Sequence, residues 1–240
     1  MGFCPTLLYW LCPIDGFPGG AQTGAVVTAV RLSAATERLL EPGASEWRSV
    51  PEEPLGLSPT PLGAQPSVYV LVAWPDRPYG LLEQLHVRAA HNGQSLLFRL
   101  AWPDETKDDH IQDTDRFFDA AAVLFPLKAD AALTSMGSPD QPVNGWYWRP
   151  DLERPLNVTA TGLGSTVRHP DAFLQAGAQY EDGEWAVVIS RPFAVSSDAA
   201  APLAPGQRGK VGFAVWQGSN QERAGLKAVT LDWQPLEIEG

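Results

Sequence analysis

Cysteine is almost missing from this chain: two in 240 residues, Cys4 and Cys12, both near the start. Two thiolates cannot complete a four-ligand zinc site or hold an iron–sulfur cluster. No C-x-x-C-H stretch occurs, which excludes covalent c-type haem attachment. A local disulfide in an oxidising compartment and a pair of inert thiols both fit these two residues. Histidine is scarce as well, and His86, His91, His110 and His169 lack a His or Cys partner at i+2 to i+4. Zinc spacing is therefore absent. Positive charge is in deficit, with 17 Lys and Arg against 28 Asp and Glu and a net charge of −11. That argues against nucleic acid as a partner, because phosphate binding needs a basic face. No apolar run approaches the roughly 20 residues of a membrane span. The stretch 6–12 is short and has no basic residue before it, so no clear signal peptide is expected. Serine-nucleophile motifs, phosphate-cradling glycine loops and dinucleotide fingerprints are all missing.

What is present is turn chemistry and strand pattern. Gly and Pro number 22 each, beside 44% hydrophobic and 19% charged residues, as expected of short strands joined by many turns. Residues 83–102 form two partly alternating runs about Asn92-Gly93, a strong hairpin signal. Residues 177–193 repeat the pattern about Asp182-Gly183. Further strands are predicted over 24–32, 67–74, 117–125, 210–216 and 227–238 from their β-branched and aromatic content. Short helices are expected only at 34–40 and 171–175. Residues 41–66 read as a proline-rich surface passage, and 196–205 as a flexible connection. The fold class implied is all-β: an antiparallel β-sandwich with long loops and a few short helices. It comprises a lead segment, 1–24, and a single domain, 25–240.

Three features invite a chemical reading. The acidic run Asp104, Glu105, Asp108, Asp109, Asp113, Asp115 and Asp119 lacks EF-hand spacing and reads as a solvated loop. Trp146 and Trp148 alternate about Tyr147, which puts both indoles on one face. Met136 is the only methionine besides the first residue, and it opens the turn-rich passage MGSPDQPVNGWYW. A methionine is usually core filler, but a thioether on a shaped loop can also ligate a metal. Lys227, at the start of the strand predicted over 227–238, reads on spacing alone as a snorkelling surface lysine.

Four stretches, taken together and in order, resemble the haem b subunit of the ethylbenzene dehydrogenase type. They are LHVRAAHNGQSLLFRLAWPDETKDD, FFDAAAVLFPL, MGSPDQPVNGWYWRPD and GFAVWQGSNQERAGLKAVTLDWQPLEI. The similarity extends to the γ subunits of dimethylsulfide dehydrogenase, selenate reductase and chlorate reductase, the type II DMSO reductase group, and it spans nearly the whole chain. The resemblance implies a β-sandwich holding one non-covalent haem b between a methionine and a lysine. Met136 heads the match to the methionine motif, and Lys227 lies in the match to the lysine motif, with Lys210 as the fallback second ligand. Asn144, Trp146, Trp148 and Phe213 are the implied pocket residues, with Arg149 and Arg223 as partners for the propionates.

The implied role is a non-catalytic electron relay. It would sit between the iron–sulfur β subunit of a molybdenum oxidoreductase, itself joined to a molybdopterin α subunit, and a soluble cytochrome or other carrier. The implied location is periplasmic or otherwise extracytoplasmic. Two rival expectations remain: a carbohydrate-binding sandwich that stacks sugars on exposed indoles, and a structural subunit that has lost its haem.

Overall fold

The computed structural model describes residues 26–111, 116–170 and 173–240. The lead segment 1–24, with Cys4 and Cys12, lies outside them, as do Asp113 and Asp115. In chain order the strands are β1 (Val27–Arg31), β2 (Glu53–Gly56), β3 (Ser58–Pro59), β4 (Gln84–His91), β5 (Ser95–Pro103), β6 (Ala120–Pro126) and β7 (Val143–Trp148). They continue with β8 (Leu156–Ala160), β9 (Val167–His169), β10 (Gln175–Glu181), β11 (Glu184–Pro192), β12 (Arg208–Trp216), β13 (Ala228–Val229) and β14 (Gln234–Ile238). Among the described residues two short helices, α1 (Thr36–Leu39) and α2 (Val68–Ala73), and three short 3-10 segments complete the regular structure. The chain is all-β, as its patterning implies.

The strands form two sheets that share β12. One runs β10-β11-β5-β4-β1-β14, and the other runs β12-β6-β7-β8-β9. The first half of β12 pairs with β14, and its second half pairs with β6 and β13. Pairing is antiparallel except at β1, which runs parallel to both β14 and β4. Both expected hairpins form. Asp182 and Gly183 adopt positive φ of 50° and 78°, the twist a two-residue hairpin turn needs.

Strand alternation sorts the side chains of the second sheet into two layers. Val123, Phe125, Trp146, Trp148, Phe213 and Val215 point inward, where they meet Phe98, Leu100, Trp102, Trp185, Val187 and Ile189 of the first sheet in one core. Ala120, Ala122, Leu124, Val143, Ala214 and Trp216 point outward and build a second apolar layer that Met136 and Tyr147 join. That outer layer becomes the floor of the site.

Several expectations are corrected. The predicted strand at 67–74 is helix α2, whose Leu71 and Trp74 amides bond back to Ser67 and Val70. Its β-branched residues yield to context, because Trp74 packs edge-on against Tyr79 at 6.0 Å in a small cluster with Leu226. The predicted strand 227–238 breaks in two. Val229 pairs with Ala214 and Gln234 with Val211, so four residues, 230–233, stand opposite two, and the chain bulges as it leaves one sheet for the other. Of the helix expected at 171–175, Phe173 and Leu174 are not helical and Gln175 opens β10. The passage 41–66 buries Trp47, and in the connection 196–205 the Ala201 amide donates to Asn144 Oδ1 at 3.1 Å.

Among the described residues the acidic run is only in part a solvated loop: Glu105 is exposed, but other members are not. Asp104 and Asp119 are buried, and Asp119 accepts from the Asp108 and Gly218 amides and from the Trp185 indole. Burial pushes the Asp104 carboxyl up to about 7, helped by the charge of Asp119. Among the described residues no group of three or more His, Cys, Asp or Glu could hold a metal ion.

Candidate functional site

The connection between β6 and β7 folds back over the outer face of the second sheet. Leu133 lies over Gly212, where a Cβ would come within 2.7 Å of its side chain. The Trp233 indole donates to the Ala131 carbonyl at 2.7 Å. The Met136 amide donates to Leu133 O, and Met136 O accepts from Gly162 N. Met136 itself has φ of 58°, an uncommon backbone state outside glycine. Gly137 follows at φ +79°, and a Cβ there would stand 2.4 Å from the Gln141 carbonyl. The turn therefore demands glycine at that point.

Lys227 arrives from the opposite side, at the bend before β13. Its carbonyl accepts from the Thr60 amide at 3.0 Å, and Gly80 packs so closely that a Cβ would be 2.8 Å from that oxygen. The loop carrying it is held by Glu222, a buried carboxylate that accepts from Gly80 N at 2.6 Å, Asn220 Nδ2 at 2.9 Å and Gln217 N at 3.0 Å. Gln65 adds a bond to Gly225 O at 2.9 Å.

These two loops bring Lys227 Nζ to 3.6 Å from Met136 Sδ, across 91 residues of sequence. Lys227 is 3% exposed, and its Nζ lies 4.9 Å from the centroid of the Trp216 ring. Burial pushes its amine down to about 8, and no carboxylate opposes that shift. The reading of Lys227 as a surface lysine is thus overturned. A buried ammonium without a counter-charge is costly, whereas a neutral amine is a free nitrogen donor. Two donors on opposite sides of one metal ion stand roughly 4.4 Å apart, from bonds of about 2.1 Å to nitrogen and about 2.3 Å to sulfur. The pair is within an ångström of that separation.

Around the pair lies a cavity of about 350 Å³, within the range of roughly 300–1,000 Å³ typical of cofactor sites. Ala122, Leu124, Tyr147, Leu156, Val158 and Trp216 form its floor, and α2, residues 162–168 and residues 223–227 roof it. Arg149, Arg168 and Arg223 supply cations at its walls. Arg149 is tied to Asp151 at 2.5 and 2.8 Å, and Arg223 lies over the Phe117 ring at 4.3 Å.

Of the residues proposed from sequence, Met136, Lys227, Arg149 and Arg223 meet at this cavity. Asn144, Trp146, Trp148 and Phe213 do not: they point into the core on the other side of the sheet. Lys210 also lies elsewhere, its exposed Nζ donating to Ala129 O. The burial of Trp146 and Trp148 removes the indole platform that the carbohydrate reading required. Tyr147, Trp216, Arg168, Gln65 and Glu222 were not picked out from sequence. For Tyr147 the signal was there, since alternation puts it opposite the two indoles it separates.

Fold and site together define a two-sheet β-protein with an amine–thioether donor pair over an apolar outer face. The chain belongs to the ethylbenzene dehydrogenase family, whose sequence profile matches residues 59–172 and 166–228. It is 37% identical over 223 residues to the chlorate reductase subunit gamma of Ideonella dechloratans, covering 91% of this chain and 89% of that one. A protein of Haloferax mediterranei, named as a candidate haem subunit of a respiratory nitrate reductase, is 34% identical over 83% of this chain and 68% of its own. The dimethylsulfide dehydrogenase subunit gamma of Rhodovulum sulfidophilum is 35% identical over 63% of this chain and 59% of its own. Among solved structures, a candidate carbohydrate-binding protein of Bacteroides uniformis superposes with a TM-score of 0.50 at 13% identity, covering 90% of this chain and 100% of that one. At that identity the likeness concerns the fold alone.

Proposed function

We propose that this chain is a non-catalytic electron-transfer subunit that binds one non-covalent haem b in the cavity, with Met136 and Lys227 as axial ligands. The observation that carries the reading is the uncompensated buried Lys227 Nζ, 3.6 Å from the sulfur of the one internal methionine. The names of its relatives, gamma and haem subunits of reductases and a dehydrogenase, support the same conclusion. When bound, the haem supplies a one-electron iron couple.

The chain's own residues do the rest. Met136 presents a thioether, a ligand type that raises haem potential. Lys227 is held in apolar surroundings that favour the neutral amine needed for ligation. If both residues were to ligate a bound haem, the group would be suited to one-electron transfer rather than to oxygen or peroxide chemistry. Leu124, Val158 and Trp216 shield the cavity floor from water, and Arg149 and Arg223 are placed to meet carboxylates at its walls. Residues 25–240 act as one haem-binding domain. The partners are an iron–sulfur β subunit, a molybdopterin α subunit and an external carrier such as a soluble cytochrome, in an extracytoplasmic compartment. No helix among the described residues is long and apolar enough to cross a membrane.

The test is the visible spectrum of purified protein, oxidised and then reduced with dithionite. A Soret band and sharp reduced α and β bands are expected at one haem per chain, and their absence after haem reconstitution overturns the reading. Met136→Ala should keep the fold, alter the spectrum and lower the potential. An unchanged spectrum removes Met136 from the ligand set.

A further inference from the structure

Behind the cavity floor, between the two sheets, lies a cation that the ligand pair does not use. Arg191 points inward from β11, is 2% exposed, and spans the core to reach the second sheet. Its guanidinium carbon stands 5.1 Å from the centroid of the Trp146 ring. Nη2 donates to the Ala201 carbonyl at 2.7 Å, while Nε and Nη1 have no acceptor among the described residues. Burial pushes the guanidinium down to about 10, and no carboxylate opposes that shift. At that value it remains a full positive charge at neutral pH, buried between the two sheets.

Its hydrogen bonds lead toward the cavity. The Ala201 amide donates to Asn144 Oδ1 at 3.1 Å, and Asn144 Nδ2 donates to the Val158 carbonyl at 3.0 Å and to Asn157 Oδ1 at 2.6 Å. The Val158 side chain is part of the cavity floor, as is that of Tyr147, the residue after Trp146. One sheet thickness therefore separates Arg191 from the group the cavity would hold. An isolated buried charge is screened far less than a surface one, and keeping one without a counter-ion is costly.

We infer that Arg191 is a potential-setting residue: its unneutralised charge behind the cavity floor favours the reduced, more negative state of the bound redox group. The inference rests on the haem reading above. Arg191 touches neither proposed ligand, so it acts through its field and not by ligation. At roughly 10–15 Å and an effective dielectric constant of about 20, one charge changes a one-electron equilibrium by about tenfold.

The experiment is a spectroelectrochemical titration of the haem-loaded chain, comparing wild type with Arg191→Met, Arg191→Gln and Arg191→Lys. The two neutral variants should show the wild-type absorption bands but a lower midpoint, with about a tenfold smaller reduced-to-oxidised ratio at the wild-type midpoint. The lysine variant should stay close to wild type, and the shift should persist at 1 M salt. An unchanged midpoint in either neutral variant with intact bands overturns the inference. So does failure of both neutral variants to fold or hold haem, which would make Arg191 a folding residue. If wild-type protein itself takes up no haem, it is the functional reading that fails, and the two failures are told apart by that control.

Discussion

A lysine buried at 3% exposure beside a thioether contributes nothing to stability that an apolar side chain would not do better. In the cofactor-free chain its cost should depend on pH in a defined sense. Its folded value is about 8 against 10.5 for the free side chain, so between those values the unfolded state binds more protons than the folded one. Stability to urea should therefore rise with pH from about 8 to 10.5, by up to about 3 kcal/mol, and stay flat at its lower level below that window. Lys227→Met should abolish the rise and stabilise the cofactor-free chain at neutral pH by about 1–3 kcal/mol. The same variant should lose the Met/Lys haem spectrum. A flat wild-type profile would place the amine in water instead of the apolar cavity.

Each ligand is delivered by an irregular segment whose shape depends on a few local constraints. Gly137, with φ +79° and no room for a Cβ beside the Gln141 carbonyl, fixes the turn that presents Met136. Glu222 fixes the Lys227 loop through three hydrogen bonds, one from distant Gly80 and two from Gln217 and Asn220 within its own loop. Gly137→Ala should cost about 2 kcal/mol or more in thermal or urea stability, from combined strain and clash. Glu222→Ala should cost about 2–4 kcal/mol, because it leaves buried donors unpaired. Both should weaken haem retention, read as faster haem transfer to an excess of apomyoglobin. Wild-type retention in both would detach these loops from the site. The strands were largely legible in sequence, since the turn signals Asn92-Gly93 and Asp182-Gly183 and period-2 alternation are local, although the first turn closes about Gly93-Gln94 with Asn92 opposite Ser95. Helix α2 was not. Its composition is that of a strand, and it is tertiary packing, with Trp74 against Tyr79 and Leu226 and Val70 facing the cavity, that goes with the helix.

Across the whole molecule the site joins segments that the two sheets hold in place: the connection after β6, the bend before β13, and the roof from α2. A ligand that bridges two such loops stabilises the folded state by mass action. Haem loading should raise the thermal midpoint of the wild-type chain and leave that of Lys227→Met little changed, as followed by circular dichroism. It should also quench tryptophan emission, because Trp216 lines the cavity. Equal shifts in both proteins would mean that binding does not use the lysine.

By itself the sequence determined the all-β class and both main hairpins, and the order of its motifs singled out Met136 and Lys227 by family resemblance, because composition, turn residues and motif order are properties of the chain. It could not decide which side of the second sheet the cavity occupies. Asn144, Trp146, Trp148 and Phe213 looked like pocket residues because they are large or polar and lie near the motifs. The tertiary structure turns them into the core and gives the outer face to Tyr147, Leu124, Val158 and Trp216. Alternation along a strand says which residues share a face, but only the packing of the first sheet against the second says which face is inside. The same packing carries Arg191 behind the cavity and brings Lys227 to Met136. Neither placement leaves a local trace in the chain.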